Sequence, residues 1–390
     1  MNGPPRRLRL AHLTTSDISH ALLLATELEV DVAAGYETFA ISADGPYVDR
    51  LPDGVTHVPI RSLTRAWDVR SDGRAARELF GVLRDLRLDV LHTHNPKTGV
   101  MGRLLGRAAR IPVVVNTCHG LWVRPDDGLG RKGFVLGAEA LAGLASDAEL
   151  YQNDLDRRTL ARAVPQARAW TVGNGIDLTR FRRDPEAGAR LRAALGIAPD
   201  ALVVGGVGRR VEEKGIGELA EAARGLDRDV EVIWVGPADA AKADQVTGDL
   251  AGLRFVDEQT DMVAVYSALD VFVLPSHREG FSRSAMEAAA CGCAMVLSDI
   301  RGCREIGTDG EHLLLVPPRD PAALAAAIGR LVDDANLRHR LAEAAAARAR
   351  RAFDQRAVAA MSIETYRRIA LRKGLPWAVA APRAPGATGG

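Results

Sequence analysis

The chain has 390 residues, 47% hydrophobic and 26% charged, a globular composition that excludes a disordered or fibrous protein and is long enough for two cores. A formal net charge of +1 provides no global field for nucleic acid, so no nucleic-acid partner is expected and any basic surface must be local. Four cysteines without a CxxC pair argue against a zinc site and for a reduced, cytoplasmic chain, and no segment approaches the ~18 apolar residues of a membrane span.

The basic start MNGPPRRLRL runs into a strand-like segment instead of a long apolar one, so no signal peptide is expected. Apolar runs then predict strands over 8–14, 37–43, 57–60, 89–94, 112–118, 148–152 and 169–172, with helices between them, as over 72–86 and 99–110. A cluster of Asn-Gly, Arg and Pro over 172–186 interrupts the pattern. Strands resume over 202–208, 230–236, 253–256, 271–276, 294–298 and 312–316. Two long Ala/Arg helices, roughly 321–350 and 356–372, follow. The Pro-, Gly- and Ala-rich tail from Pro376 is expected to lack fixed structure.

Strands alternating with helices give an α/β protein with parallel sheets, built as two Rossmann-like domains with a ligand cleft at the carboxyl ends of the strands. The domains are placed at 1–175 and 176–356. A helix over 357–373 follows, and 374–390 form a flexible tail.

Several constellations are candidates for chemistry. The segment GVGRRVEEKG carries Gly208, Arg209, Arg210 and Lys214 between a strand and a helix, a place suited to a diphosphate. The competing reading is a solvated turn whose cations pair with Glu212 and Glu213. It is not a GxGxxG fingerprint, which disfavours a nicotinamide cofactor. In HREGFSRSAMEAAACG, Glu279 stands at a strand's mouth and Glu287 inside a helix capped by Ser282 or Ser284. Eight residues span roughly 12 Å if helical. That suits the two ends of a nucleotide sugar better than paired acids flanking one glycosidic bond at about 5 to 9 Å. Alternatively, Glu287 simply pairs with an arginine.

Together these stretches resemble the E-x7-E motif of family 4 glycosyltransferases, the retaining enzymes of GT-B fold. The likeness extends through VGNGIDLTRF, DIRGCREIGTDGEHLLLVPPRDPAALAAAI and, upstream, LRDLRLDVLHTHNPKTGVMGRLLGRAARIPVVVNTCHG, in unbroken order over about 80–330. The resemblance implies two Rossmann-like domains with their parallel sheets facing a central cleft, a hinge near 172–180, and a last helix over 357–373 that crosses back to the first domain.

The resemblance also implies that Arg209 and Lys214 hold the donor diphosphate in place of a metal. Glu287 would bind the ribose. Glu279 and the amides of Gly280, Phe281 and Ser282 would hold the donor sugar, which His119 would also contact. Where many members have a glycine-rich loop, LTTSDISHALLL offers Thr14, Thr15 and Ser16 near the diphosphate. No metal and no cofactor are implied. The donor is expected to be a nucleotide diphosphate sugar, most simply a UDP-sugar, and the acceptor a lipid-linked glycan or another hydroxyl compound. A GT-B-fold nucleotide-sugar epimerase or hydrolase, a tailoring glycosyltransferase of a secondary metabolite and a binding subunit without turnover remain alternatives.

Residues 97–132 carry Lys97, Arg103, Arg107, Arg110, Arg124, Arg131 and Lys132 against Asp126 and Asp127. With Arg103, Arg107 and Arg110 placed on one helical face and Trp122 nearby, this is either a solvated face or a docking surface for an anionic lipid-linked acceptor. The second reading expects a peripheral place on the inner face of the cell membrane. The triplets Asp154-Leu155-Asp156 and Asp227-Arg228-Asp229 are discounted as metal sites. His92 and His94 alternate on a strand, and either line the cleft or include a satisfied core histidine. Cys291 and Cys293 are expected to pack as small residues.

Overall fold

The computed structural model describes residues 6–122, 127–160, 164, 168–226, 230–238, 244–248 and 250–383. The chain divides into two compact units, residues 1–173 with 355–390 and residues 174–354.

The first unit contains a seven-stranded parallel sheet. Its strands are β1 (Arg9–Ser16), β2 (Glu37–Ala43), β3 (Val55–Pro59), β4 (Val90–His94), β5 (Val113–Cys118), β6 (Ala148–Tyr151) and β7 (Ala169–Thr171). They lie in the order β3-β2-β1-β4-β5-β6-β7. The second unit contains β8 (Leu202–Val207), β9 (Val230–Val235), β10 (Arg254–Val256), β11 (Val271–Leu274), β12 (Ala294–Ser298) and β13 (Leu314–Val316), in the order β10-β9-β8-β11-β12-β13. All thirteen predicted strands form; the central ones are buried on both faces, and such strands of a parallel sheet read as continuous apolar runs, while β3, at a sheet edge, is only partly buried.

Each sheet reverses its winding once, between β1 and β4 and between β8 and β11. In doubly wound sheets the loops leaving such a switch point diverge and open a ligand site. The candidate residues follow these strands: Thr15 and Ser16 end β1, Asn95 follows β4, Gly208 follows β8, and Ser276 to Ser282 follow β11.

The helices and the tail depart from expectation. The single long helix expected over 321–350 is two helices, Pro321–Asp333 and Ala335–Ala352. Asp334 closes the first and caps the second by accepting a hydrogen bond from the Leu337 amide at 2.9 Å. The tail from Pro376 was expected to lack structure, yet Ala378 and Ala381 are buried, and Trp377 packs on the core that contains Ile363 and Tyr366. Apolar side chains spaced within the Pro/Ala-rich stretch supply the burial that composition alone did not reveal. Residues 384–390 lie outside the described residues. The helix Gln355–Arg372 packs within the first unit, against the helix Ala25–Ala34.

Candidate functional site

In the second unit, Lys214 closes a short turn after β8. Gly215 follows with φ 70°, and a Cβ there would collide with the Pro275 carbonyl oxygen, so only glycine lets the turn press against the end of β11. This contact delivers Lys214 Nζ to Glu279 Oε1 at 2.7 Å, and Ser276 Oγ donates to the same oxygen at 2.8 Å. The alternative pairing of Lys214 with Glu212 or Glu213 is therefore not adopted. Glu213 instead lies 3.7 Å from Arg278, while Arg210 pairs with Asp257 at 2.7 Å and stacks on Phe255. Arg209 is exposed, and Gly208 accepts a hydrogen bond from the Trp234 indole at 2.8 Å.

Ser282 is the N-cap of the helix Arg283–Ala290, its Oγ accepting from the Ala285 amide at 3.2 Å. That cap starts the helix immediately after the Glu279–Phe281 loop and places Glu287 in its second turn. Phe281 anchors the loop edge-on against Phe353. Glu287 has no arginine bonded to it among the described residues. Its Oε2 accepts the Tyr266 hydroxyl at 2.8 Å, a partner that no sequence spacing indicated. Burial raises the Glu287 pKa, opposed by the Tyr266 bond and by the charges of Arg283 and Arg180. Cys291 and Cys293 are buried in the core beside it, as small packing residues.

In the first unit, His119 follows β5 and lines a pocket of about 120 Å³ with Asn95, Thr117, Trp122 and Glu139. Burial pushes its pKa down to about 4, so it stands neutral. Both ring nitrogens are engaged, Nε2 with His94 Nδ1 at 2.9 Å and Nδ1 with the Gln152 side-chain amide at 2.9 Å. His92 and His94 are both completely buried, which favours the alternative of a satisfied core histidine and extends it to both. His92 bonds the Tyr366 hydroxyl at 2.6 Å and Thr117 Oγ1 at 2.7 Å.

Asn95 has φ 62°, rare for a residue with a side chain, and its Oδ1 accepts from the Thr15 amide at 3.0 Å. Thr15 is buried with its hydroxyl 3.2 Å from Thr98 Oγ1, and Ser16 accepts from Arg65 at 3.1 Å. Both threonine groups therefore already have partners within the unit.

The basic face is corrected. Arg103 is buried, donating to Glu149 at 2.8 Å and to Glu139 at 2.6 Å. Glycines Gly102 and Gly106 press the helix Pro96–Ala108 onto Leu13, Thr93 and Leu91, which turns Arg103 toward those acids. Glu139 and Glu149 lie outside residues 97–132 in the sequence. Lys97 is also buried, donating to the Thr64 and Ala66 carbonyls. Arg107 pairs with Asp147 at 3.0 Å, and Arg110 lies beyond the helix end. Arg131 pairs with Asp127 at 3.2 Å and stacks on Trp122, which in turn stacks on Trp67; Lys132 is half-buried. Arg124 and Asp126 lie outside the described residues.

Of the discounted triplets, Asp154 pairs with Arg157 and Arg158, and Asp156 accepts the Leu121 amide at 3.1 Å. Asp227 and Asp229 lie outside the described residues.

A doubly wound parallel unit with a cation, two carboxylates and a capped helix at its switch point belongs to the nucleotide-binding class of α/β proteins. Residues 198–334 match the family described as Glycosyl transferases group 1, and residues 19–180 match Glycosyltransferase Family 4. The phosphatidyl-myo-inositol mannosyltransferase of Mycolicibacterium smegmatis is 31% identical over 370 residues, covering 89% of each chain. The UDP-Gal:alpha-D-GlcNAc-diphosphoundecaprenol alpha-1,3-galactosyltransferase of Escherichia coli is 27% identical, covering 86% of this chain and 90% of that one. Among solved structures, sucrose-phosphate synthase from Thermosynechococcus elongatus superposes with a TM-score of 0.81 at 22% identity, covering 94% of this chain and all of that one. The chain belongs to the family 4 glycosyltransferases: it has the GT-B fold and is a glycosyltransferase that uses a nucleotide sugar.

Proposed function

We propose that the protein is a retaining, metal-independent transferase that moves a sugar from a UDP-sugar to a lipid-linked glycan or another hydroxyl acceptor. The observation that carries this reading is the separation of roles after β11. Glu279 is held at the strand's mouth by Lys214 and Ser276, while Glu287 is held within the helix by Tyr266. Two carboxylates fixed by different partners grip two parts of one extended donor, Glu287 the ribose hydroxyls and Glu279 a sugar hydroxyl.

Departure of the nucleotide diphosphate builds negative charge on phosphate oxygen. Arg209 and Lys214 meet that charge where a metal would otherwise do so, and the amides of Gly280, Phe281 and Ser282 hold the donor sugar. Ion pairing between Lys214 and Glu279 holds the ammonium at the end of β11 in advance of the donor. The donor phosphate takes the acceptor's proton, so the site calls for no further base, and His119 contacts the donor sugar. The UDP and lipid-linked assignments are supported by the donor and acceptor in the name of the Escherichia coli relative.

The test is transfer from UDP-sugars to polyprenyl-diphosphate-linked sugar in the presence of EDTA, with the product anomer read by NMR. A product with the donor's anomeric configuration, and no donor consumption without acceptor, supports the reading. Conversion of the donor alone would favour the epimerase or hydrolase alternative, and transfer only to small polyketide- or peptide-like acceptors would favour a tailoring enzyme.

With Arg103 buried, the helix Leu129–Ala145 is the surface suited to a membrane. Phe134, Leu141 and Leu144 are exposed along it, and Arg131 and Lys132 lie at its start. We propose that this face makes the peripheral contact with an anionic membrane on its cytoplasmic side.

A further inference from the structure

Behind His119 runs a chain of side chains that the transfer mechanism does not use. Asp31, on the helix Ala25–Ala34, lies with Oδ2 2.8 Å from His12 Nε2. His12 Nδ1 is 3.0 Å from His94 Nε2, and His94 Nδ1 is 2.9 Å from His119 Nε2. His119 Nδ1 meets Gln152 at 2.9 Å. Asp31, His12 and His94 have no solvent exposure, whereas His119 is half-buried beside the pocket. Every nitrogen of the three imidazoles is therefore committed to the next member of the chain.

With Asp31 ionised, counting protons leaves two consistent arrangements. With one proton on each imidazole, His12 donates to Asp31, His94 to His12, His119 to His94 through Nε2–H, and the Gln152 amide N–H to His119 Nδ1. With one proton more, His12 is an imidazolium donating to both Asp31 and His94. His94 then donates to His119 Nε2, and His119 donates through Nδ1–H to the Gln152 carbonyl oxygen. The two differ by one proton taken up from solvent at His119 Nδ1, by one hop along each of the two imidazole–imidazole bonds, and by a reversal of the Gln152 amide. The charge comes to rest on His12 beside Asp31, and His119 stays neutral in both.

We propose that His12 and His94 are positioning residues for His119: the protonation state of His12 at the buried end decides which His119 nitrogen carries the proton at the pocket. The surroundings favour this division. Asp31 Oδ1 has no hydrogen-bond partner among the described residues, so the carboxylate interacts chiefly with His12. Burial opposes a charge on His12, but the Asp31 hydrogen bond and charge outweigh it and raise the His12 pKa, with Glu27 adding to the effect. Burial raises the pKa of Asp31 and of Glu27 as well, opposed in each by the charge on His12, so the Asp31–His12 pair is held ionised by the mutual attraction of its members. Burial and the neighbouring histidines hold His94 and His92 well below the usual range. The other groups around the chain are His20, on the helix Asp17–Leu22, with its pKa lowered to about 3, and Tyr366, on the helix Gln355–Arg372, which holds His92. The chain lets the pocket histidine exchange roles between donor and acceptor without carrying a charge itself.

The inference rests, for its catalytic consequence, on the reading that His119 meets the donor sugar. The experiment is a long-range 1H–15N NMR titration of the full-length protein with 15N-labelled histidine, between about pH 5 and 9, using His119→Asn to assign the signal. The expected result is a change of His119 from the Nδ1–H to the Nε2–H tautomer as pH rises, with no imidazolium form. In Asp31→Asn, which keeps an acceptor for His12 but removes the counter-charge, the change moves down by about one to three pH units. In His94→Phe it disappears.

A His119 tautomer that does not respond to pH in the wild-type protein would overturn the proposal whether or not the variants fold. So would an unaltered response in folded His94→Phe, or a stoichiometric metal retained through chelator, since His12, His92 and His94 would then be its ligands. The pH dependence of kcat separates the two readings. A limb that follows the tautomer change, and moves with it in Asp31→Asn, supports both. A tautomer change without any such limb upholds the chain and overturns the role of His119 at the donor sugar.

Discussion

Glu287 shows how a single residue's environment sets what it can do. Partly withdrawn from water and held by one tyrosine hydroxyl, it keeps an oxygen for a ligand hydroxyl, yet its raised pKa brings protonation closer to working pH. A carboxylate grips two ribose hydroxyls as an acceptor, and the protonated acid loses that capacity. Nucleotide affinity is therefore expected to be full above the raised pKa and to fall as pH drops through it. Tyr266→Phe should move that fall to higher pH, because the Tyr266 bond favours the charged form. Binding measured by calorimetry across pH checks this, and an affinity independent of pH in both proteins would remove Glu287 from the site. Arg209→Ala should instead lower turnover by roughly a hundred- to a thousandfold with little change in nucleotide affinity, the signature of a group that acts on charge formed in the transition state.

At the scale of elements, the helix Pro96–Ala108 is fixed by glycines on one side and by a buried ion pair at Arg103 on the other. Arg103→Ala would leave Glu139 and Glu149 without their shared cation. A loss of about 3 to 5 kcal/mol is expected in chemical denaturation of the first unit, far beyond that of a surface arginine; a loss under about 0.5 kcal/mol would contradict the pairing. This arginine also marks the limit of what the sequence could disclose. The strands were legible because each is a local apolar run, and Ser282 because a cap is a local signal. Arg103, Tyr266 and the His12–His94–His119 chain were not. Their partners lie 19 to 82 residues apart, on elements that only the sheet order brings together. Charge counting within a window treats a buried network as a surface. Asp334 was missed for a smaller reason: an acid inside an Ala/Arg run reads as a solvated helix face until its side chain is seen capping the next helix.

For the whole molecule, near-zero net charge means that attraction to a membrane has to come from one face, not from the overall field. No described helix is long and apolar enough to cross a membrane. Flotation with vesicles containing anionic lipid should recruit the protein, and Phe134→Ser with Leu141→Ser should abolish recruitment while leaving nucleotide binding intact. Equal flotation of the double variant would move the contact elsewhere. The account as a whole depends on one claim, that the second unit binds a nucleoside diphosphate through protein groups alone. Calorimetric titration of UDP, GDP and TDP into the purified protein, with EDTA present, tests it most directly. UDP is expected to bind, and binding to be lost in Glu287→Ala; binding of none of the three until a divalent metal is added would show that protein groups alone do not hold the diphosphate.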